Sequence, residues 1–362
     1  MADPPVSIVA AGVCTPVGLS LPEAAASARG RVARLREIAW MDRRFEPFIV
    51  GSVPEAGLPP LAEPLAQQPL QYREARMLRL AQVALEDLFS FDGGAASLAI
   101  DAEHPLPLLL GLHEHHTTIP IDPTTFVQRL ATQTGVPLDL ARSLAVPRGR
   151  AAGLMALREA ANRLHGGDSP FVLVGGVDTL VDLYVLGTLD MEGRIRNEVN
   201  SDGFSPGEGA GFVLLCTPAK AAEQGLEPLA VIACTAIGQE AGHLYSDQPY
   251  LGEGLAEAFA TLLADAPPPA PIACVYASFN GERYWAREFG VARVRSAAAF
   301  ESDNAVEHPA EVFGDLGAAH GVVMLALAAH AVANGYRPAP CLVFASSDHA
   351  DRAATLLVTE AA

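Results

Sequence analysis

Apolar and polar positions follow two patterns along this chain. Short unbroken apolar runs predict buried strands, and longer stretches with apolar residues at helical spacing predict helices between them. Val6–Ala11 ends in Gly12 and predicts a buried strand. Pro22–Arg34 predicts a helix, and residues 46–70, rich in Pro and without period, predict a loop. Tyr72–Phe89 has the clearest helical period, with Met77, Leu80, Ala81, Ala84, Leu85 and Leu88 on one face. Leu106–Leu112, Phe171–Val174 and Phe212–Cys216 predict further strands. Ala151–Leu164 predicts an Ala-rich helix stopped by Gly166-Gly167.

The second half repeats this order. Leu229–Ile237 and Ile272–Ala277 predict strands around a helix at Leu251–Asp265, which Pro267-Pro268-Pro269 stops. Gly317–Asn334 predicts a small-residue helix and Cys341–Ala345 the last strand. VSIVAAGVCTPVG at 6–18 echoes LAVIACTAIGQEAG at 229–242. RGRAAGLMALREAANRL followed by FVLVGG echoes GDLGAAHGVVMLALAAHAVANG followed by CLVFAS. The reading is a duplicated α/β unit, with halves at 1–220 and 221–362 and buried mixed sheets covered by helices. Small residues at 151–153 and 317–319 predict two helices in close contact at the centre.

Composition narrows the function classes. Of 362 residues half are apolar and 18% charged, enough for a large core. The net charge of −18 argues against nucleic acid or an anionic membrane as partner. The run Gly317–Ala333 is broken by His320 and His330 and is too short to span a bilayer. Five scattered cysteines without CxxC spacing suit a reducing compartment. MADPPVS lacks the charge and apolar run of a signal peptide, so a cytoplasmic location is expected. The only lysine is Lys220. Arg29, Arg31, Arg34, Arg36, Arg43 and Arg44 form the one dense basic run, either a solvated helix face or a docking patch for an acidic partner. His113-Glu114-His115-His116 has alternating histidines that could reach a metal, but reads better as a surface or dimer-contact loop. No metal or cofactor is expected.

The most specific stretch is Ser201-Asp202-Gly203-Phe204-Ser205-Pro206-Gly207-Glu208-Gly209-Ala210-Gly211. Its glycines permit tight turns and close backbone approach. Glu208, alone among them and leading into an apolar strand, must accept backbone N–H bonds or pair with a cation. A structural role is expected for it. The stretch resembles the DGF…GEGAG signature of β-ketoacyl synthases in the thiolase superfamily. Thr15-Pro16-Val17-Gly18 is similar to the family's TPxG turn, and Gly317-Ala318-Ala319-His320-Gly321 to its GAAG. The resemblance runs from about 6 to 358. It implies a thiolase-like five-layered α-β-α-β-α fold built from two similar halves, usually in a homodimer.

The same resemblance implies a Cys nucleophile at a strand–helix elbow and two histidines that aid decarboxylation and stabilise developing charge. Those positions fall on other residues here. The Cys position falls on Arg150, which stays protonated and cannot attack. The first His segment reads Ser278-Phe279-Asn280-Gly281-Glu282, and the second reads Gly314-Asp315-Leu316. His320 is the remaining acid/base candidate. Arg150, Asn280, Glu282, Arg283 and Asp315 could form a buried ion-pair network that holds the old active site shut.

Two functions compete. One is a non-catalytic partner or scaffold, like the family's chain-length factors or a secretion adaptor. It would bind a synthase, an acyl-carrier protein or a secretion effector. The other is an acyltransferase of the 3-oxoacyl-ACP synthase type with a displaced catalytic residue. An open, polar-lined pocket at Arg150 favours the enzyme. A pocket filled by Arg150 and Phe279 favours the scaffold. A homodimer, or a heterodimer with a synthase, is expected through edge pairing of the uncharged strand Leu106–Leu112.

Overall fold

A computed structural model of the chain describes residues 4–90, 98, 100–114 and 120–360. Its strands are β1 (Val6–Cys14), β2 (Leu35–Met41), β3 (Pro47–Gly51), β4 (Leu108–Leu112), β5 (Leu144–Pro147), β6 (Val172–Thr179), β7 (Glu208–Cys216), β8 (Ala230–Gln239), β9 (Ile272–Ala277), β10 (Phe300–Glu307), β11 (Cys341–Ser346) and β12 (Asp351–Val358). Between them lie α1 (Leu21–Arg29), α2 (Glu63–Ala66), α3 (Tyr72–Ser90), α4 (Pro123–Thr134), α5 (Ala152–His165), α6 (Leu183–Met191), α7 (Pro218–Gln224), α8 (Glu253–Asp265), α9 (Arg283–Arg295), α10 (Ala310–Phe313) and α11 (His320–Ala333).

Ten strands form one continuous sheet in the order β10-β9-β11-β12-β8-β1-β7-β6-β4-β5. On one side β1 pairs antiparallel with β7, β7 antiparallel with β6, β6 parallel with β4, and β4 parallel with β5. On the other, β8, β12, β11, β9 and β10 repeat that order and those senses. The two five-strand units meet where β1 pairs with β8 over Val6–Ile8. A division of the chain at 220 falls inside α7, the connection between the units.

The helices complete the layers. α3 packs on β1, β7 and β6, and α8 on β8 and β12, each on an outer face. α5 and α11 touch strands of both units and form the middle layer. The architecture is α-β-α-β-α. The small residues at the two central helices have a steric reason. A Cβ on Gly153 would lie 2.1 Å from Val322 Cγ2, so only glycine lets α5 meet α11 this closely. Strands β1, β6, β7, β11 and β12 are buried along their whole length, as expected of strands covered on both faces.

Several expectations need correction. The run Leu106–Leu112 is not an edge. Its strand, β4, lies between β6 and β5, and the edge at that end is β5. Residues 46–70 contain β3 and α2 as well as loop. The last strand is β12, not Cys341–Ala345. The helix expected through Arg34 ends at Arg29, because Gly30 closes it and Arg31 turns to φ 51°. The arginine run therefore does not line one helix face. It extends from the end of α1 onto the β2–β3 ribbon, a separate two-stranded sheet. No described helix is long and apolar enough to cross a membrane.

Candidate functional site

The site lies where α5 begins. β5 leads through Gly149, at φ 68°, into a short turn that carries Arg150 to the start of the helix. A side chain at 149 would be strained in that backbone, so glycine sets the elbow. Arg150 is 5% exposed. Its Nε donates to Asp315 Oδ2 at 2.7 Å, Nη2 lies 2.6 Å from the same oxygen, and Nη1 donates to Asp348 Oδ1. The guanidinium also sits 5.3 Å from the Trp285 ring centre.

A second arginine completes the network. Arg194 Nε and Nη2 each donate at 2.8 Å to the two oxygens of Glu282, a bidentate fork. Its Nη1 donates to Asp348 Oδ2 at 2.7 Å. Asn280 Nδ2 bridges Glu282 Oε2 and Asp315 Oδ2, at 3.0 and 2.9 Å. Trp285 Nε1 donates to Glu282 Oε2 at 2.9 Å. Three carboxylates and two guanidiniums thus share one buried patch. Burial would raise the Asp315 and Asp348 carboxyls, but the Arg150 charge overrides it and holds both below the usual carboxylate range.

Arg150, Asn280, Glu282 and Asp315 come together, as the resemblance implied. Arg283 does not: it pairs with Asp202 at the surface, Nε to Oδ2 2.7 Å, because it starts the outward face of α9. Ser278 accepts the Ser346 N–H, a contact between the ends of β9 and β11. Phe279 does not fill the elbow. Its ring packs against Phe289 and Phe344 on the other side of β9. Gly314, at φ 81°, makes the turn that presents Asp315. Sequence reasoning missed Arg194 and Asp348. Both lie in segments without a motif and reach the network only through pairings distant in the sequence, 88 residues for Arg194 with Glu282, 154 for Arg194 with Asp348 and 198 for Arg150 with Asp348.

His320 is buried at the start of α11. Its Nδ1 accepts from Leu316 N at 3.3 Å and stands 3.8 Å from Asp315 Oδ1, while Nε2 has no partner. Burial lowers its pKa to about 4, against the opposing pull of Asp315. It is neutral and does not line the cavity described below, so it is not placed as an acid/base group. The unfolded chain binds a proton on this ring below pH 6.5, whereas the folded chain resists until about pH 4. Stability should therefore fall as pH drops through that window, by roughly 3 kcal/mol at most. The depressed carboxyls of Asp315 and Asp348 add a loss below the ordinary carboxylate range. Urea midpoints at pH 7 and pH 4.5 should show the fall, and His320→Gln should flatten it.

The elbow is not sealed. A cavity of about 220 Å³ reaches Gly149, Arg150 and Asp348. Leu180, Val185, Leu189 and Phe204 give it an apolar wall, and Arg73, Glu114, Asp178 and Tyr245 a polar one. The network occupies the elbow and leaves this space beside it. His113 and Glu114 also line it and are buried, so these two residues are not at the surface. His115 and His116 lie outside the described residues. Glu114 Oε2 lies 2.7 Å from His349 Nδ1. The described lining includes no cysteine, and Thr188, its one aliphatic hydroxyl, is tied to the Tyr184 carbonyl. All five thiols are buried in the protein. Burial pushes Cys14 well up and Cys216 up to about 12, the reverse of an activated nucleophile.

Glu208 opens β7 and is fully buried. It accepts from Val53 N at 2.8 Å, Thr179 Oγ1 at 2.9 Å, and Arg76 Nε and Nη2 at 2.9 and 2.6 Å. It ties the start of β7 to α3 and the segment after β3, and takes no part in the cavity.

Known proteins resemble this chain in part of its sequence or in its fold. The family described as beta-ketoacyl synthase, N-terminal domain, matches residues 138–221. A 6-methylsalicylic acid synthase from Arthrobotrys oligospora is 33% identical over 105 residues, which cover 27% of this chain and 6% of that protein. A highly reducing polyketide synthase, ausV, from Aspergillus calidoustus is 33% identical over 107 residues, 28% of this chain and 4% of its own. The chain thus matches only a small fraction of either curated relative. Among solved structures, the oxazolomycin ketosynthase domain OzmH KS7 of Streptomyces albus JA3453 superposes with a TM-score of 0.78 at 16% identity, over 97% of this chain and 74% of that one. The ishigamide ketosynthase/chain length factor gives 0.74 at 17% identity, over 99% and 100%. A type II acyl-carrier protein in complex with its ketosynthase, AntDE:AntF, gives 0.76 at 16%, over 99% and 100%. The fold is that of the thiolase-like ketosynthases.

Proposed function

We propose that this protein is a non-catalytic member of the ketosynthase-like proteins that acts by binding a partner. The observation that carries this reading is Arg150. A permanently charged guanidinium, fastened by Asp315 and Asp348, stands at the turn where a condensing enzyme needs a thiolate. The similarity to a ketosynthase/chain length factor and to a ketosynthase bound to its carrier protein supports a synthase or a carrier protein as that partner. Incubation with malonyl and acyl thioesters should release no carbon dioxide above a protein-free control. Steady release that depends on the protein would reverse the reading.

The open cavity favours a second reading, a site that holds an acyl group or transfers it through a displaced residue. It does not supply the missing nucleophile, so the partner reading is preferred.

The edge strands support association at one end of the sheet. β10 carries Glu301, Asp303 and Glu307, which discourage pairing with another strand. β5 has no charge, and Leu144 is 49% exposed. The chain should form a homodimer, or a heterodimer with a synthase, through β5. Light scattering at micromolar concentration should give twice the chain mass, or the mass of the mixed pair when a synthase is added. Ala145→Lys should return it to a monomer.

A further inference from the structure

We infer that the β2–β3 ribbon is a docking surface for an acidic protein segment that also carries an apolar side chain. Residues 29–46 hold six arginines against three acids in a chain of net charge −18. Arg34 and Arg44 have no ion pair or side-chain hydrogen bond among the described residues, so their charges are free to meet a carboxylate. The inner face of the ribbon, Phe48 and Val50, packs on Leu186 and Leu189 of α6. The outer face has no such cover. Met41 is 53% and Ile49 40% exposed there, and Phe45 at the tip is 86% exposed.

The backbone holds this display in place. Phe45 has φ 67°, and it and Arg31 are the only non-glycine residues with positive φ among the described residues. A bulky residue in that conformation is strained and persists only where its surroundings hold it. The Asp42 carboxylate does so by accepting the Arg44 and Glu46 N–H groups at 2.8 and 3.0 Å, and the Phe45 N–H meets the Asp42 carbonyl at 3.0 Å. Asp190 of α6 anchors the turn through the Arg43 N–H at 3.0 Å. A glycine would fit the turn with less strain and would hide no apolar ring in water. A phenyl ring held out at a strained tip, beside the unpaired Arg44 and with Arg34 at the other end of the ribbon, matches a partner with carboxylates around an apolar anchor. The ribbon residues do not line the cavity, so the inference does not depend on whether the elbow is silent.

The test is a fluorescence anisotropy titration of the full chain against a labelled peptide, Asp-Glu-Asp-Leu-Glu-Phe-Asp-Glu. The same peptide with lysines for the acids is the control. The acidic peptide should bind, more weakly as salt is raised, and the lysine peptide should not. Arg44→Glu and Phe45→Gly should each weaken binding at least 10-fold. Arg287→Glu, an exposed arginine elsewhere, should not. Phe45→Gly should melt no lower than the wild type, so that lost binding cannot be put down to unfolding. The inference fails if the wild type does not bind, if both peptides bind alike, or if the ribbon variants bind as the wild type does. It also fails if the same variants abolish self-association, which would make a second copy of this chain the occupant.

Discussion

Glu208→Ala should cost about 3–5 kcal/mol of folding free energy, among the largest losses from any single replacement in this chain. The carboxylate is wholly buried and satisfies four donors from Val53, Thr179 and Arg76. Its removal strands the Arg76 guanidinium, which is 6% exposed at the side chain and keeps only Glu55 and the Val53 carbonyl. Three segments would lose their common tie at once, α3, the stretch after β3 and the start of β7. Glu208→Gln should cost less, since the amide oxygen can still accept from Val53 or Thr179. The check is the urea midpoint at pH 7, with an unchanged slope showing that the denatured state is not altered. An unchanged midpoint for Glu208→Ala would remove the structural role assigned here.

Arg150→Ala should have an effect of similar size for the converse reason. It leaves Asp315 and Asp348 buried without their shared cation; Arg194 still answers Asp348, and Asp315 keeps only the neutral donors Asn280 Nδ2 and Gly317 N–H. A loss of about 3–5 kcal/mol is expected, and it should shrink as the pH falls and the freed carboxyls take up protons. Arg150→Met is the informative comparison. It keeps the volume but not the charge, so it should be as damaging as Ala if electrostatics decide and milder if packing does. Arg150→Cys should restore a thiol without restoring condensation, because groups that act as one catalytic unit are strongly non-additive. A melting temperature for Arg150→Ala equal to that of the wild type would mean that the network contributes nothing net.

What was legible in the sequence follows from where the signals are local. The buried strands β1, β7 and β9 were readable because they are unbroken apolar runs, and α3 because one face repeats at helical spacing. The central close approach was readable in Gly153 and the small residues before His320, since only absent side chains permit it. β10 was not readable: as an edge strand its sequence, FESDNAVE, is mostly polar. β12 was missed because DRAATLLV mixes a buried charge with small residues. Its Arg352 is buried against Glu288, Nε to Oε1 2.6 Å, a pairing that no local pattern announces. The elbow residues Arg150 and Asp315 were found by counting from glycine landmarks. Arg194 and Asp348 had no such landmark and are placed by topology alone. The reversed position of the edge, β5 rather than β4, has the same cause, because four residues of LAVP carry too little pattern to name a strand.

The reading of the elbow as chemically silent is tested most directly by intact mass spectrometry of the wild-type protein after incubation with an acyl thioester of coenzyme A or of a carrier protein. The expected result is a single peak at the mass of the unmodified chain. A stoichiometric acyl adduct, mapped to any residue lining the cavity beside Arg150, would contradict it and make the protein an acyltransferase.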